Sequence, residues 1–268
     1  MAKANNILKK SVSSHKNKNF LITTFYSKKQ KRSVAFTLAE VLITLTVIGV
    51  VAAMTVPTLT RNVQMHAVET QLKVADSMIS QVMKLSDGLG AEDMNIVANN
   101  TSNMRAWFNE YFKPYFRTQK LCYQTAGCWH KQGEVKTLNG GVPSFETKVG
   151  VDESTLGWAT MTFIAQNGTL FNLDGSGVGN TVGLFGIDST VPSLQFYFDV
   201  NGRAKPNRIG KDIYIMIYTP EKGLVPAGID RTKEQIRQNC ESGNGYWCLA
   251  YVKQNGWKIS DKVWKRNK

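Results

Sequence analysis

Residues Lys28–Leu59 read KKQKRSVAFTLAEVLITLTVIGVVAAMTVPTL. A basic cluster, Lys28, Lys29, Lys31 and Arg32, stops abruptly, and from Val34 to Leu59 there follow 26 residues with one charge, Glu40. A helix needs roughly 20 apolar residues to cross a bilayer, so this run predicts a membrane span. Cations flanking a span stay in the cytoplasm, so the chain beyond Leu59 is predicted to face outward. An acidic side chain at mid-membrane costs about 2.5–3.5 kcal/mol on insertion scales. Glu40 lies near the inner end of the run, four residues after Phe36 and on the same helix face, where it calls for a cation.

Downstream the pattern turns amphipathic. Val68, Leu72, Ala75, Ile79 and Val82 recur at alternating steps of four and three, one face of a helix. Ser86-Asp87-Gly88 and Gly90 predict its end. From Phe36 to Leu85 such a helix would measure about 75 Å. Pro57 removes a backbone donor and is expected to bend it.

The stretch Ala35-Phe36-Thr37-Leu38-Ala39-Glu40 resembles the cleavage site of type IV prepilins and type II secretion pseudopilins. The resemblance covers Lys28–Leu59 and implies a cut by a prepilin peptidase between Ala35 and Phe36, with methylation of the new Phe36 amine. Glu40 then becomes the fifth residue of the mature chain, where the family carries its assembly glutamate, and Pro57 the twenty-second, where many pilins carry a helix-kinking proline. The family usually has Gly before the cut; this chain has Ala35. In a filament, Glu40 of one subunit would neutralise the amine of its neighbour. A misregistered subunit would bury an unpaired charge, which fixes the axial register. The competing readings of Glu40 are pairing with its own Phe36 amine and snorkelling to the interface.

The net charge of +13 suggests a nucleic-acid binder until its distribution is read. Residues 1–35 hold nine Lys/Arg and no Asp/Glu; without them 24 basic and 20 acidic residues remain, +4. Most of the excess sits in a leader to be excluded from fold reasoning, and nucleic acid is not expected as a partner.

The rest predicts an exported head, residues 89–268, following a leader (1–35), a transmembrane and assembly helix (36–59) and its amphipathic continuation (60–88). Glu92–Thr101 reads as loop and Met104–Phe112 as a short aromatic helix, whose stripe is core by preference over a base-stacking platform. Trp158–Phe163 and Thr169–Leu173 read as strands joined at Asn167-Gly168, a strong hairpin signal. Leu194–Phe198 and Asp212–Tyr218 are two further strands, rich in β-branched and aromatic residues. Glycine-rich Asp174–Gly186 reads as loop and Thr232–Arg237 as a helical turn. Tyr246–Val252 and Trp257–Ile259 read as a last hairpin around Asn255-Gly256. The fold class expected is α+β, pilin-like: a long N-terminal transmembrane and amphipathic helix packed on an antiparallel sheet.

Asp199 and Asn201 have the one-and-three spacing of oxygen ligands in calcium loops, and Asp212 would close such a site. The twelve-residue loop's terminal glutamate is missing and Arg203 and Lys205 intervene, so a turn built on Asx hydrogen bonds and Gly202 is the preferred reading. No other cofactor is implied. Cys122, Cys128, Cys240 and Cys248 are even in number and lie in the part expected outside the cytoplasm. Four cysteines allow three pairings. Cys122–Cys128 and Cys240–Cys248 are preferred because each closes a short loop with a glycine in or beside it. A zinc site including His130 is the rival, weakened by the lack of a C-x-x-C pair.

No nucleophile triad, metal-binding histidine pair or phosphate loop is legible, so the chain reads as a substrate of the peptidase and not as an enzyme. What the resemblance implies is a pilin or pseudopilin, major or minor, of a type II secretion pseudopilus or type IV pilus-like filament. Its partners would be the prepilin peptidase, other pilin subunits and a membrane assembly platform with its ATPase. It would sit in a bacterial cytoplasmic membrane with its head outside, then in a periplasmic or extracellular filament. The alternatives are a membrane-anchored exported ligand-binding protein that does not polymerise, and a DNA-uptake pilus subunit.

Overall fold

The computed structural model describes residues 36–86, 94–98, 100–123, 125–143 and 160–266. The leader, with Ala35 and the basic cluster, lies outside the described residues, as do Asp87, Gly88, Gly90, Glu92 and Trp158. The chain divides into two units, one ending at Ala52 and the other running from Ala53 to Lys268.

In the first unit, residues 38–52 open α1 (Leu38–Leu85), and every side chain from Phe36 to Val51 is exposed. The helix is long and apolar enough to cross a membrane.

In the second unit α1 continues to Leu85 with Pro57 inside it. Val68, Leu72, Ala75, Ile79 and Val82, the face expected from their spacing, are all buried. Val68, Leu72, Ile79 and Val82 each contribute on the order of 1.5–3 kcal/mol when fully removed from water, and Ala75 less. They pack on a six-stranded antiparallel sheet whose spatial order follows the sequence, β1 (Thr118–Cys122), β2 (Thr160–Ala165), β3 (Leu170–Ser176), β4 (Ser193–Asp199), β5 (Ile213–Thr219) and β6 (Gly223–Pro226). β2 and β3 meet at the expected Asn167-Gly168 turn, with Gly168 at φ 87°. Glycine takes this left-handed conformation without the Cβ clash other residues suffer.

Both faces of the sheet are covered. On one, Phe163, Phe171, Phe196, Phe198 and Met216 share a core with α1 and with the aromatic segment. That segment begins earlier than expected, as α2 (Met94–Val97) and α3 (Thr101–Trp107), in part of what reads as loop. The Asn100 side chain caps α3 by accepting from the Ser102 and Asn103 N–H groups. The helix then widens into a π-helical turn, Phe108–Phe112, which turns Phe108 and Phe112 inward. Phe112 lies 5.7 Å from Phe196, and Phe163 stacks on Phe171 at 4.9 Å. Trp107, Phe108, Phe112 and Phe116 are therefore core and present no stacking platform. On the other face Tyr197, Ile213, Ile215 and Ile217 pack against Trp129, Phe185 and Tyr246.

Four expectations are corrected. Asp174–Ser176 extend β3, and Val178–Gly183 form a helix, α4, where loop was expected; Gly175 fits because its missing Cβ would lie 2.2 Å from the Ala98 carbonyl oxygen. β1 and β6, the two edge strands, were not anticipated. The helical turn at Thr232 is a full helix, α5 (Lys233–Glu241), started by a capping box between Thr232 and Gln235. Tyr246–Val252 is not a strand: it enters α6 (Cys248–Gln254), with α7 (Asp261–Trp264) following. A short apolar run has no period long enough to separate strand from helix, and here the buried side chains of α6 join the α1 face of the core.

Candidate functional site

The first candidate is the start of α1. Thr37 occupies the N-cap position and Glu40 the third helical position. Glu40 Oε2 accepts from the Thr37 backbone N–H and from the Thr37 hydroxyl, each at 2.8 Å, and Thr37 Oγ1 accepts the Glu40 N–H at 3.2 Å. This is a capping box, T-x-x-E, which satisfies two of the four orphan donors of a helix start. The sequence carried this signal, and the reading of Glu40 as a charge alone passed over it. The Phe36 amine takes no part in these bonds, so they would survive a cut before Phe36. Phe36 itself is exposed.

The second candidate is the loop between β4 and β5. The fold brings Asp199, Asn201 and Asp212 together, with Asp199 and Asp212 fully buried. Asp199 Oδ1 accepts the Asn201 N–H at 3.1 Å, and Asp199 Oδ2 lies 2.8 Å from His130 Nε2. Asp212 Oδ2 accepts the Asn207 N–H at 2.8 Å, and its Oδ1 accepts the Arg208 N–H. All four carboxylate oxygens thus face nitrogen, the arrangement of the Asx-turn reading. Among the described residues no group of three His, Cys, Asp or Glu is placed to hold a metal. Burial pushes Asp199 well above the usual carboxylate range, against the N–H groups of Asn201 and Gly202. Burial, then the neighbouring charge of Asp199, raises Asp212 to about 7.

The partnership of His130 with Asp199 was not foreseen; 69 residues separate them, and nothing local marks the pair. The zinc reading falls on its cysteines, which are held in disulfides. The cysteines are joined as Cys122–Cys128 and Cys240–Cys248, the preferred pairing, and none is free. The first ties the end of β1 to the segment leading to Trp129 and His130; the second ties α5 to α6. In the chain-entropy account each such short loop contributes roughly 2–3 kcal/mol.

The third candidate is a cationic groove beside α1, lined by Arg61, Lys205, Lys211 and Lys265 among others, which no sequence pattern indicated.

No family model, no curated protein and no solved structure matches the chain.

Proposed function

We propose that the chain is a structural subunit, a pilin or pseudopilin, of a type II secretion pseudopilus or type IV pilus-like filament. One observation carries the reading: a single carboxylate, Glu40, stands five residues after Ala35 in an otherwise uncharged run that follows a basic cluster. The α+β layout, the apolar α1 and the two disulfides are compatible with a single-pass protein whose head lies outside the cytoplasm. In this reading a prepilin peptidase cuts between Ala35 and Phe36 and methylates the Phe36 amine. Glu40 then pairs with the amine of an adjacent subunit as a platform and its ATPase draw the helix into a filament. The chain is a substrate of the peptidase and performs no catalysis of its own.

Mass spectrometry of the mature N-terminus from native membranes tests this. A chain starting at methylated Phe36 is expected. An uncut chain, or one cut beyond Leu59, would sink the reading in favour of an anchored binding protein or a secreted one.

A further inference from the structure

We propose that the groove beside α1, just past its apolar stretch, binds the phosphate of an anionic phospholipid headgroup. The inference rests on the reading of α1 as a membrane span.

The groove encloses about 530 Å³. α1 contributes Arg61 and Val68 to its lining, the loop between β4 and β5 contributes Lys205 and Lys211, and the C-terminal segment contributes Trp264 and Lys265. Four of its lining side chains are cationic and none is a carboxylate. Of the acids beside it, Asp212 is buried and accepts the Asn207 and Arg208 N–H groups, and Asp261 is exposed and pairs with Lys265 at 2.6 Å. Lys211 is buried; its ammonium donates to the Arg266 carbonyl at 3.3 Å and lies 5.3 Å from the centre of the Trp264 ring.

Arg61 supplies the independent sign of a ligand. Its Nε is buried and makes no hydrogen bond. The side chain as a whole is half-buried, and a guanidinium N–H shut from water without an acceptor carries a cost that an anionic oxygen would remove. The guanidinium fork matches the oxygens of a phosphate in a two-point contact.

The position selects a lipid over a soluble anion. Arg61 follows Leu59, the last residue of the apolar run, by two positions, about 3 Å along the helix axis. Met54, Val56 and Leu59, in the same unit, expose apolar side chains. Seven residues separate Arg61 from Val68, about 10 Å of helix, which begins where the hydrocarbon ends and crosses a headgroup layer of roughly 5–8 Å. Val68 and Trp264 add apolar surface to the cationic lining, and tryptophan favours this depth.

The test uses the full chain in nanodiscs of phosphatidylcholine, alone or mixed with phosphatidylglycerol, with retained lipid read by native mass spectrometry after transfer to detergent. Preferential retention of phosphatidylglycerol is expected. Removing one cation near an anionic surface should weaken retention about fivefold, and three about a hundredfold. Lys205→Gln alone, at an exposed position, reports the first effect, and Arg61→Gln with Lys205→Gln and Lys265→Gln the second. Lys211 is left in place because it is buried. Lys113→Gln with Arg117→Gln, exposed charges beside β1, should leave retention unchanged. Equal retention of both lipids by an inserted chain, or equal loss in the control variant, would overturn the groove proposal while leaving the filament reading intact. Displacement of the lipid by inorganic phosphate would overturn it in favour of a soluble anion site. A chain that fails to insert would bring down both readings, and protease protection of α1 separates that case.

Discussion

Glu40 and Thr37 satisfy each other across the first turn of α1, the carboxylate taking the Thr37 N–H and the Thr37 hydroxyl taking the Glu40 N–H. Glu40 therefore has two separable properties, a charge and a cap. Gln can serve in a capping box and carries no charge, whereas Ala offers neither. If pairing with a neighbouring amine drives assembly, Glu40→Gln and Glu40→Ala both abolish filament incorporation while membrane insertion survives. Thr37→Ala, which costs the cap about 1 kcal/mol, should then assemble. Filaments from Glu40→Gln but not from Glu40→Ala would make Glu40 a helix cap and nothing more.

Glu69 ties α1 to the C-terminal segment. It is buried, and its carboxylate accepts from the Ile259 N–H at 2.9 Å and from Lys258 Nζ at 3.0 Å, with His66 Nδ1 also at 3.0 Å. Burial alone would raise its pKa; the bonds from His66, the Ile259 N–H and Lys258 outweigh it and hold the group below its usual value. A depressed pKa contributes stability present above the unfolded value and lost as pH falls through the folded one. Glu69→Ala should cost roughly 1.5–3 kcal/mol by thermal unfolding at neutral pH, because it orphans a buried donor. Lys258→Ala, at an exposed ammonium, should cost less than about 1 kcal/mol. Equal costs would show that the Ile259 bond contributes little.

Asp212 should act in the opposite direction. Its folded pKa of about 7 lies above the value of an unfolded aspartate, near 3.9. Between these values the folded chain holds more protons, so the group's contribution to stability falls as pH rises from about 4 to about 7. Asp199 raises Asp212 through its charge, so the slope belongs to the two carboxyl groups together. Asp212→Asn should lower the melting temperature at every pH, because its amide turns a donor toward the Asn207 or Arg208 N–H. It should also flatten the decline toward neutral pH. A decline parallel to that of the parent chain would remove Asp212 as its source.

Gly210 and Gly168 share φ 87° and differ in surroundings. A Cβ at Gly168 meets nothing within 4 Å, whereas one at Gly210 would lie 2.7 Å from Cys248 Sγ and 2.9 Å from the Gly245 carbonyl oxygen. Gly168→Ala should cost about 1–2 kcal/mol, the left-handed penalty alone. Gly210→Ala should cost clearly more, since the sulfur is held in a disulfide and the oxygen is backbone. Equal costs in chemical denaturation would mean that the loop around Gly210 yields freely.

Much of the architecture was legible because its causes are local. The α1 face from Val68 to Val82 repeats at helical spacing, and the Asn167-Gly168 pair offers the positive φ that a tight hairpin requires. The cysteine pairing followed from short loops. The edge strands β1 and β6 escaped notice for lack of apolar alternation. Residues 248–254 misled because strand and helix put the same few apolar residues in a run that short.

By itself the sequence determined the long apolar helix, its amphipathic continuation and the strands of the sheet centre, all matters of neighbours within one or two turns of chain. Only the tertiary structure decided which polar groups are buried together. Glu69 meets Ile259 across 190 residues and Asp199 meets His130 across 69. Arg61 shares a groove with Lys205, Lys211 and Lys265. A polar side chain is written the same way whether it faces water or a partner. Its hydrogen bonds and desolvation, and hence its chemistry, are set by segments the chain brings beside it only on folding.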